Sequence, residues 1–293
     1  MRLVATDLDG TVVRADGTIS ARTVAAFDAC HAAGIGVVIV TGRPARWLVP
    51  VVEAMGRRGI AVCGNGAVVF DVAADMVVRS RGVAPDDVRS VVSRVRDAIG
   101  PVDVALETLA GFRREPGYLT RWDTTPEQDV GELDALLADD PVVLKVLLRQ
   151  EGSSPDAMLA AARDVLVGLA QPTHSNAADC LLEISALGVS KAATLAELAS
   201  SQGIAADDVV AFGDMPNDVE MLRWAGRGYA MAGGHPEAIA AADDVAPPCA
   251  DDGVAQVVEA LLREDAWISG TATHPERRPW QRRPGRPSAH RAR

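Results

Sequence analysis

Two carboxylates stand directly behind the first apolar run of the chain, in the stretch ATDLDGTVV. Asp7 and Asp9 follow the strand-like segment 2–6, and residues two apart on an extended chain face the same side. Two carboxylates in one site repel each other unless a cation lies between them or one is protonated. Mg²⁺, which prefers oxygen ligands from one or two carboxylates, would relieve that repulsion. The alternative is a turn at Asp9-Gly10, with Asp7 solvated at the end of the strand.

A second group of acidic residues has the same placement. After the apolar run 209–212 the chain continues GDMPND, which puts Asp214, Asn217 and Asp218 at a predicted strand-to-helix turn. Helix capping is the simplest role for such residues. The recurrence of polar residues after another β-run and at another helix start weakens that interpretation.

Two further segments contain groups that suit a phosphate. Thr41 and Gly42 follow the β-branched run 35–40, and a Thr hydroxyl with the backbone N–H groups after it can bind phosphoryl oxygens. Lys191 stands in the first turn of a predicted helix, where the helix dipole disfavours a cation unless an anion is nearby. It is one of only two lysines in the chain, which uses arginine almost everywhere else.

Strand-like and helix-like segments alternate at both ends of the chain. This pattern predicts an α/β fold with a doubly wound, mostly parallel, Rossmann-like sheet covered on both faces. The middle of the chain mixes helices, among them segments 85–99 and 126–138, with strands of looser alternation, which indicates an inserted α+β cap domain. We therefore predict four segments: 1–82, the first part of the core; 83–187, the cap domain; 188–264, the second part of the core; and 265–293, a disordered basic tail.

The four polar segments resemble, in chain order, motifs one to four of the haloacid-dehalogenase-like (HAD) superfamily. The distance of about 150 residues between Thr41 and Lys191 resembles the position of a type C2 cap. Residues 1–263 are similar to the Cof-like subfamily (HAD-IIB). The segments are Asp7-Leu8-Asp9-Gly10-Thr11, Val40-Thr41-Gly42-Arg43, Lys191 and Gly213-Asp214-Met215-Pro216-Asn217-Asp218.

The resemblance implies a role for each matching residue. Asp7 would be the nucleophile that forms an aspartyl-phosphate, and Asp9 would act as general acid and then as general base. Mg²⁺ would be held by the Asp7 carboxylate, the Asp9 backbone carbonyl and Asp214, with Asp218 bound directly or through water. Asp9 favours phosphoryl transfer over dehalogenation, because dehalogenase members of the superfamily lack it. The residues implied to bind the phosphoryl group are Thr41, Gly42, Lys191 and Asn217.

These features predict a Mg²⁺-dependent phosphoric monoester hydrolase for a small phosphorylated metabolite, such as a sugar phosphate. Two alternatives stay open: a phosphotransferase or phosphomutase of the same fold, and a non-catalytic phosphate-binding regulatory domain. The second is less favoured because both Asp7 and Asp9 are present. The substrate and the oligomeric state are not determined by the sequence.

Several other polar residues are weaker candidates. Asn65 resembles the family's Asn-Gly-Ala segment near the cap hinge, although a tight turn explains it equally well. Arg43 and Arg46 follow Thr41; one of them could contact phosphate, but we expect them to be solvated. His235 is expected only to precede a helix. The cap residues that could recognise the leaving group are Arg113, Arg114, Lys145 and His174.

The composition of the chain indicates which binding partners and which cellular location to expect. The 293-residue chain has a net charge of −11, which argues against nucleic-acid binding by the folded part. Seven arginines and one glutamate follow residue 265, so an RNA or membrane tether in the tail is a minor alternative. The first apolar run ends at Asp7 and no stretch of about 18 apolar residues occurs, so we expect a cytoplasmic protein without a membrane partner. The four scattered cysteines are expected to be reduced and mostly buried.

Overall fold

The computed structural model describes residues 1–120 and 129–268. Its strands are, in chain order, β1 (Leu3–Thr6), β2 (Gly36–Val40), β3 (Ile60–Cys63), β4 (Val68–Asp71), β5 (Met76–Ser80), β6 (Asp103–Thr108), β7 (Phe112–Arg114), β8 (Asp129–Val130), β9 (Val143–Arg149), β10 (Ala170–Thr173), β11 (Leu181–Ala186), β12 (Val209–Gly213), β13 (Arg227–Met231) and β14 (Asp244–Ala246).

The α-helices alternate with these strands. They are α1 (Ala21–Ala32), α2 (Val49–Ala54), α3 (Pro85–Ile99), α4 (Leu133–Leu136), α5 (Pro155–Val165), α6 (Lys191–Ser201), α7 (Val219–Trp224), α8 (Pro236–Ala241) and α9 (Gly253–Ile268). Short 3-10 turns occur at Ala45–Trp47, Gly64–Gly66, Ala206–Asp208, Pro216–Asp218 and Cys249–Asp251.

The larger sheet is the doubly wound, mostly parallel sheet that the sequence predicts. Its eight strands lie in the order β14-β13-β12-β1-β2-β3-β4-β5, and only β4 and β5 run antiparallel to their neighbours. The chain moves outward from β1 to β3 on one side and from β12 to β14 on the other. Strand order therefore reverses between β1 and β12, and doubly wound sheets bind ligands at the carboxyl ends of the strands at such a point.

Apolar residues cover both faces of this sheet. Val4 and Ile39 pack on the side of α1 and α9, whereas their neighbours Leu3 and Val38 pack on the side of α6, α7 and α8. Because alternate positions of the central strands face two buried layers, polar side chains are accommodated at the strand ends rather than along them.

The second sheet belongs to the inserted cap. Its six strands lie in the order β10-β11-β9-β6-β7-β8 and are antiparallel except for the β7–β8 pair. Helices α3 and α5 cover one face, against residues such as Val146 and Leu148 of β9. Strand alternation places Glu107, Lys145 and Glu183 on the opposite face, where their contacts are to residues of the larger sheet's domain.

The structure differs from the predicted elements in three places. The predicted helix 126–138 falls partly outside the described residues, and the remainder holds β8 and the short helix α4, because Gly131 disfavours a continuous helix. Pro44 suits the first turn of a helix and predicts one helix from there to about Met55. The structure instead has the turn Ala45–Trp47 followed by α2, since Pro50 cannot donate a backbone hydrogen bond. The short strands β4, β5, β7, β10 and β14 were not predicted.

The chain passes from the larger sheet to the smaller one after Ser80 and returns after Ala186. The predicted cap boundaries, between residues 82 and 83 and between residues 187 and 188, lie close to these points. The division into domains at these residues stays a prediction. Helix α9 continues to Ile268, past the predicted start of the tail at residue 265, and residues 269–293 lie outside the described part.

Two further sequence expectations bear on location and redox state. None of the described helices combines the length and the apolar character that a membrane span requires. All four cysteines are free thiols; Cys30, Cys63 and Cys180 are buried and Cys249 is partly buried.

Candidate active site

Three carboxylates meet at the carboxyl ends of β1 and β12. Asp7 directly follows β1, and its backbone N–H donates to the Phe212 carbonyl at 3.0 Å, which extends the parallel β1–β12 pairing to the site. Asp214 and Asp218 lie in the connection from β12 to α7. Ligand oxygens of Asp7, Asp214 and Asp218 all lie within 4.8 Å of one another, in an arrangement that could hold a metal ion.

Lys191 joins this cluster from the amino end of α6. Its Nζ lies 2.6 Å from Asp7 Oδ1 and 2.7 Å from Asp218 Oδ1, and the residue is 1% exposed. Ser190 is the N-cap of α6 and fixes the direction in which the helix begins. Burial lowers the pKa of Lys191, but Asp218 and Asp7 outweigh that effect and hold its pKa above the ordinary lysine value. The anions beside it explain a cation at this otherwise unfavourable helix position.

Asp218 organises the loop as well as pairing with Lys191. Its Oδ2 accepts hydrogen bonds from the backbone N–H groups of Asp214 and Met215, at 3.0 and 3.1 Å. Both of its carboxylate oxygens therefore already have donors, which favours indirect rather than direct contact with a metal ion.

Gly10 allows Asp214 to approach the first motif. A Cβ atom at Gly10 would lie 2.4 Å from Asp214 Oδ2, and its φ of +76° lies in the left-handed region that favours glycine. Asp214 is also held by Thr11, whose hydroxyl donates to Oδ1 at 3.3 Å. No larger residue at position 10 could be accommodated without moving this carboxylate.

The cluster carries excess negative charge. Burial raises the pKa of Asp7 and of Asp214 well above the ordinary carboxyl range, and the neighbouring carboxylates raise both further, while Lys191 lowers them. If all three carboxylates were ionised, the single ammonium would leave two negative charges uncompensated, and this repulsion is part of the reason for the raised pKa values. A divalent cation is the simplest species that would balance them.

Asp9 lies apart from this cluster. The chain leaves β1 at Thr6 and bends at Leu8, so the extended geometry that would align Asp7 with Asp9 is interrupted. Both Asp9 oxygens accept from Arg43, at 2.8 Å from Nε and 2.5 Å from Nη2, and the Asp9 side chain is 57% exposed. Arg43, expected to be solvated, instead bridges the first and second motifs.

Thr41 and Gly42 follow β2, on the other side of β1 from the acidic loop. The Thr41 hydroxyl accepts from the backbone N–H of Arg43 at 3.1 Å, and the Gly42 carbonyl accepts from Lys145 Nζ of the cap at 2.8 Å. Asn217 donates to Asn65 Oδ1 at 3.0 Å. The predicted site residues of all four motifs thus lie around the ends of β1, β2 and β12.

Two buried cap glutamates at this face were not among the candidate residues. Glu183 accepts from Asn65 Nδ2 at 2.5 Å and pairs with Lys145 at 3.1 Å, and Glu107 pairs with Arg46. A signal existed in the sequence, since Glu183 interrupts the apolar run 181–184 and Glu107 directly follows the apolar run 104–106. Arg46 was likewise expected to be solvated.

The other cap candidates have partners away from the cluster. Arg113 pairs with Asp139 at 2.5 Å, and Arg114 donates to carbonyls of its own loop, including that of Tyr118 at 3.2 Å. Lys145 does contact the second motif, through the Gly42 carbonyl.

His174 and His235 form a bridge between cap and core. Their Nε2 atoms lie 2.8 and 3.0 Å from the same oxygen of Asp156, and the three residues could in principle hold a metal ion. The backbone N–H of Glu237, however, donates to His235 Nδ1 at 3.2 Å, so the proton of the neutral ring is on Nε2. That tautomer donates to Asp156 and cannot ligate a metal through Nε2, so the contacts describe a hydrogen-bonded bridge.

Comparison with known proteins bears on the family. A haloacid dehalogenase-like hydrolase family model matches residues 4–258. The 5-amino-6-(5-phospho-D-ribitylamino)uracil phosphatase YitU of Bacillus subtilis is 29% identical over 262 residues, covering 88% of this chain and 96% of that protein. A phosphoglycolate phosphatase of Methanothermobacter thermautotrophicus is 27% identical over 262 residues, covering 89% and 99%.

A solved structure supports the fold assignment. The HAD subclass IIB sugar phosphatase BT4131 is similar with a TM-score of 0.74 at 20% sequence identity, over 89% of this chain and 99% of that one. The two structures therefore share a fold over most of this chain. Because the family model spans most of the chain, this protein belongs to the haloacid dehalogenase-like hydrolase family, as its motifs predicted.

Proposed function

We propose that this hydrolase is a Mg²⁺-dependent phosphatase that hydrolyses a small phosphorylated metabolite through an aspartyl-phosphate intermediate. The observation that carries the proposal is the buried cluster of Asp7, Asp214 and Asp218 with Lys191 at the point where strand order reverses. The curated relatives named above are phosphatases of different small phosphorylated molecules, which supports the reaction class and leaves the substrate open.

The residues present fit a magnesium ion. Their ligand atoms are carboxylate oxygens, the donors that Mg²⁺ prefers, and the cluster's uncompensated charge matches a divalent ion. Asp7 and Asp214 would bind it directly, together with the Asp9 backbone carbonyl, and Asp218 would bind it through water, since both of its oxygens already accept hydrogen bonds. When bound, the ion screens the approach of the anionic nucleophile to an anionic phosphate.

The chain's own residues then perform two displacements. An Asp7 oxygen attacks phosphorus, the bond from phosphorus to the leaving oxygen breaks, and Asp9 donates a proton to that oxygen. Water next attacks the phosphorus of the aspartyl-phosphate, Asp9 accepts its proton, and the bond to Asp7 breaks to release inorganic phosphate. Because Arg43 binds both oxygens of Asp9, this ion pair must open before Asp9 can carry a proton.

Four groups would hold the phosphoryl oxygens during these steps. Lys191 supplies a positive charge, and the Thr41 hydroxyl, the Gly42 backbone and the Asn217 amide supply hydrogen bonds. Such donors stabilise the charge that develops on the phosphoryl group in the transition state.

Phosphate release from a panel of small phosphomonoesters, with Mg²⁺ and with EDTA, tests the proposal. We expect metal-dependent release by the native protein and none by the Asp7→Asn variant. Transfer of the phosphoryl group to added sugars instead of water would show a phosphotransferase. Absence of metal-dependent release across sugar phosphates, phosphoglycolate and nucleotides would contradict the proposal.

The partners and the location are part of the same proposal. We place the enzyme in the cytoplasm, acting on a small metabolite without a nucleic-acid or membrane partner. The acidic composition supports this view, since a net charge of −11 disfavours binding to polyanions.

A further inference from the structure

Three side chains link the cap to the phosphoryl site. Asn65 Nδ2 donates to Glu183 Oε2 at 2.5 Å, and Asn217 Nδ2 donates to Asn65 Oδ1 at 3.0 Å. Glu183 lies on cap strand β11, Asn65 in the turn after β3, and Asn217 in the acidic loop after β12. We call Glu183, Asn65 and Asn217 the amide relay.

The carboxylate determines the direction of every bond in the amide relay. Burial raises the pKa of Glu183, but Lys145, Ser175 and Asn65 outweigh burial and hold its pKa below the ordinary value, so the group is ionised and can only accept. Asn65 must therefore present its NH₂ to Glu183 and its carbonyl oxygen to Asn217. Asn217 must in turn present its NH₂ to Asn65.

This orientation is energetically unfavourable for the carbonyl oxygen of Asn217. Its Oδ1 is buried and has no hydrogen-bond partner within residues 1–120 and 129–268. A buried carbonyl without a donor is unfavourable, and a rotated amide could exchange the two atoms if the amide relay did not prevent it. The amide relay therefore holds Asn217 in an orientation that is unfavourable for its carbonyl oxygen. In this orientation one N–H of the amide donates to Asn65, and the second N–H is directed away from the amide relay.

The amide relay also surrounds the second motif. A Cβ atom at Gly42 would lie 3.1 Å from Asn65 Oδ1, 3.5 Å from Glu183 Oε2 and 3.6 Å from Asn217 Nδ2. Asn65 has a φ of +57°, a left-handed conformation that asparagine tolerates better than most residues. The three polar groups thus pack against the very segment that we propose binds the phosphoryl group.

We infer that Glu183 is a positioning residue of the cap, which orients the Asn217 amide through Asn65 and so completes the phosphoryl site only when the cap lies on the core. The inference rests on the proposed function, in which Asn217 binds the phosphoryl group. It gives cap closure a second effect besides excluding water, because an open cap leaves Asn65 and Asn217 free to rotate.

A double-mutant cycle tests whether Glu183 acts through Asn217. Glu183→Gln, Asn217→Ala and the double variant are compared for orthovanadate affinity by calorimetry with Mg²⁺, and for kcat and KM with p-nitrophenyl phosphate. Glutamine keeps the size of Glu183 but lets both amide orientations occur. We expect Glu183→Gln to weaken vanadate binding and lower kcat by about tenfold, and to have no further effect in the Asn217→Ala background.

Two further variants separate the amide relay from general support of the cap. Ser175→Ala removes the bond to the other oxygen of Glu183, which is 2.6 Å long, and should change vanadate affinity less than about twofold. Asn65→Ala breaks the amide relay in the middle, keeps the Glu183–Lys145 pair, and should reproduce the loss even if Glu183→Gln does not fold.

The outcomes divide cleanly. Losses that multiply in the double variant, or a Ser175→Ala effect equal to that of Glu183→Gln, would overturn the inference. If the native protein binds vanadate but releases no phosphate from any ester, the proposed hydrolysis is wrong. The vanadate affinities of the four proteins in the mutant cycle would still test whether Glu183 acts through Asn217. A native protein that binds no vanadate contradicts both.

Discussion

Replacing Lys191 with methionine tests the electrostatic account of the site most directly. Methionine fills much of the same volume but removes the ammonium from a residue that is 1% exposed. Asp7 and Asp218, whose oxygens lie 2.6 and 2.7 Å from Nζ, would both lose their partner. Removing one partner of a buried ion pair costs about 3–5 kcal/mol, and two carboxylates sharing one lysine place this case near 5 kcal/mol.

The loss should be visible in thermal and chemical unfolding. For a protein of this size, about 5 kcal/mol corresponds to a Tm lower by about 10–15 °C in EDTA. Adding Mg²⁺ should recover a larger part of the Tm in Lys191→Met than it adds to the native protein, because the variant's cluster is more negative. We also expect kcat to fall by at least about 10³-fold, since a donor to the developing charge is lost.

Lys145 provides the matched control, because it is the only other lysine in the chain and is also buried in an ion pair. Lys145→Met should lower the Tm as well, but Mg²⁺ should not recover that loss, since its partner Glu183 is outside the carboxylate cluster. A Lys191→Met Tm within about 2 °C of the native value in EDTA, or equal recovery of both variants by Mg²⁺, would refute the reasoning.

Three further predictions concern the acidic residues and the loop beside them. Asp9→Asn should lower kcat by about 10²–10⁴-fold and leave Mg²⁺ affinity in calorimetry nearly unchanged, because Asp9 lies outside the carboxylate cluster; near-native turnover would count against its acid–base role. Gly10→Ala should weaken Mg²⁺ binding. Gly17→Ala is the control: its φ is +81° and no atom lies within 4 Å of the added Cβ, so it should carry only the backbone strain of about 1–3 kcal/mol. Equal Mg²⁺ affinities of the two variants would contradict the close approach of Gly10 to Asp214. Because the pKa values of Asp7 and Asp214 are raised, the folded metal-free protein holds protons that the unfolded chain has released. Its Tm should therefore rise as the pH falls from about 8 to about 5, and Asp214→Asn should reduce this dependence. A Tm that falls over the same range would show that charge repulsion does not destabilise the cluster.

Local sequence patterns predicted the core elements well where one physical rule dominates. Helix α3 spans Pro85–Ile99 as predicted, because proline begins it and Gly100 with a φ of +87° ends it. Strands β1, β2 and β12 are continuous apolar runs, as parallel strands buried on both faces must be. The edge strand β5 and its neighbour β4 were missed, since partly exposed strands depend on pairing with a neighbour rather than on their own composition.

The candidate site was predictable to the extent that its residues follow strands. Asp7 and Asp214 converge because the parallel strands β1 and β12 end at one edge of the sheet, so that chain position alone indicates proximity. Lys191 instead begins α6, and its signal was a cation in the first turn of a helix. Asp9 shows where this reasoning stops. Its position two residues after Asp7 suggested a shared orientation, but the bend at Leu8 turns its carboxylate toward Arg43.

By itself, the amino-acid sequence determined the family, the doubly wound core with its inserted cap, and the residue types that the reaction needs. Tertiary structure alone decided which cap residues meet the core, as the contacts of Glu183 with Asn65 and of Glu107 with Arg46 show. The reason is physical: strand and helix signals are local along the chain, whereas the partner of a buried charge is selected by the packing of two sheets whose residues are more than 60 positions apart in sequence.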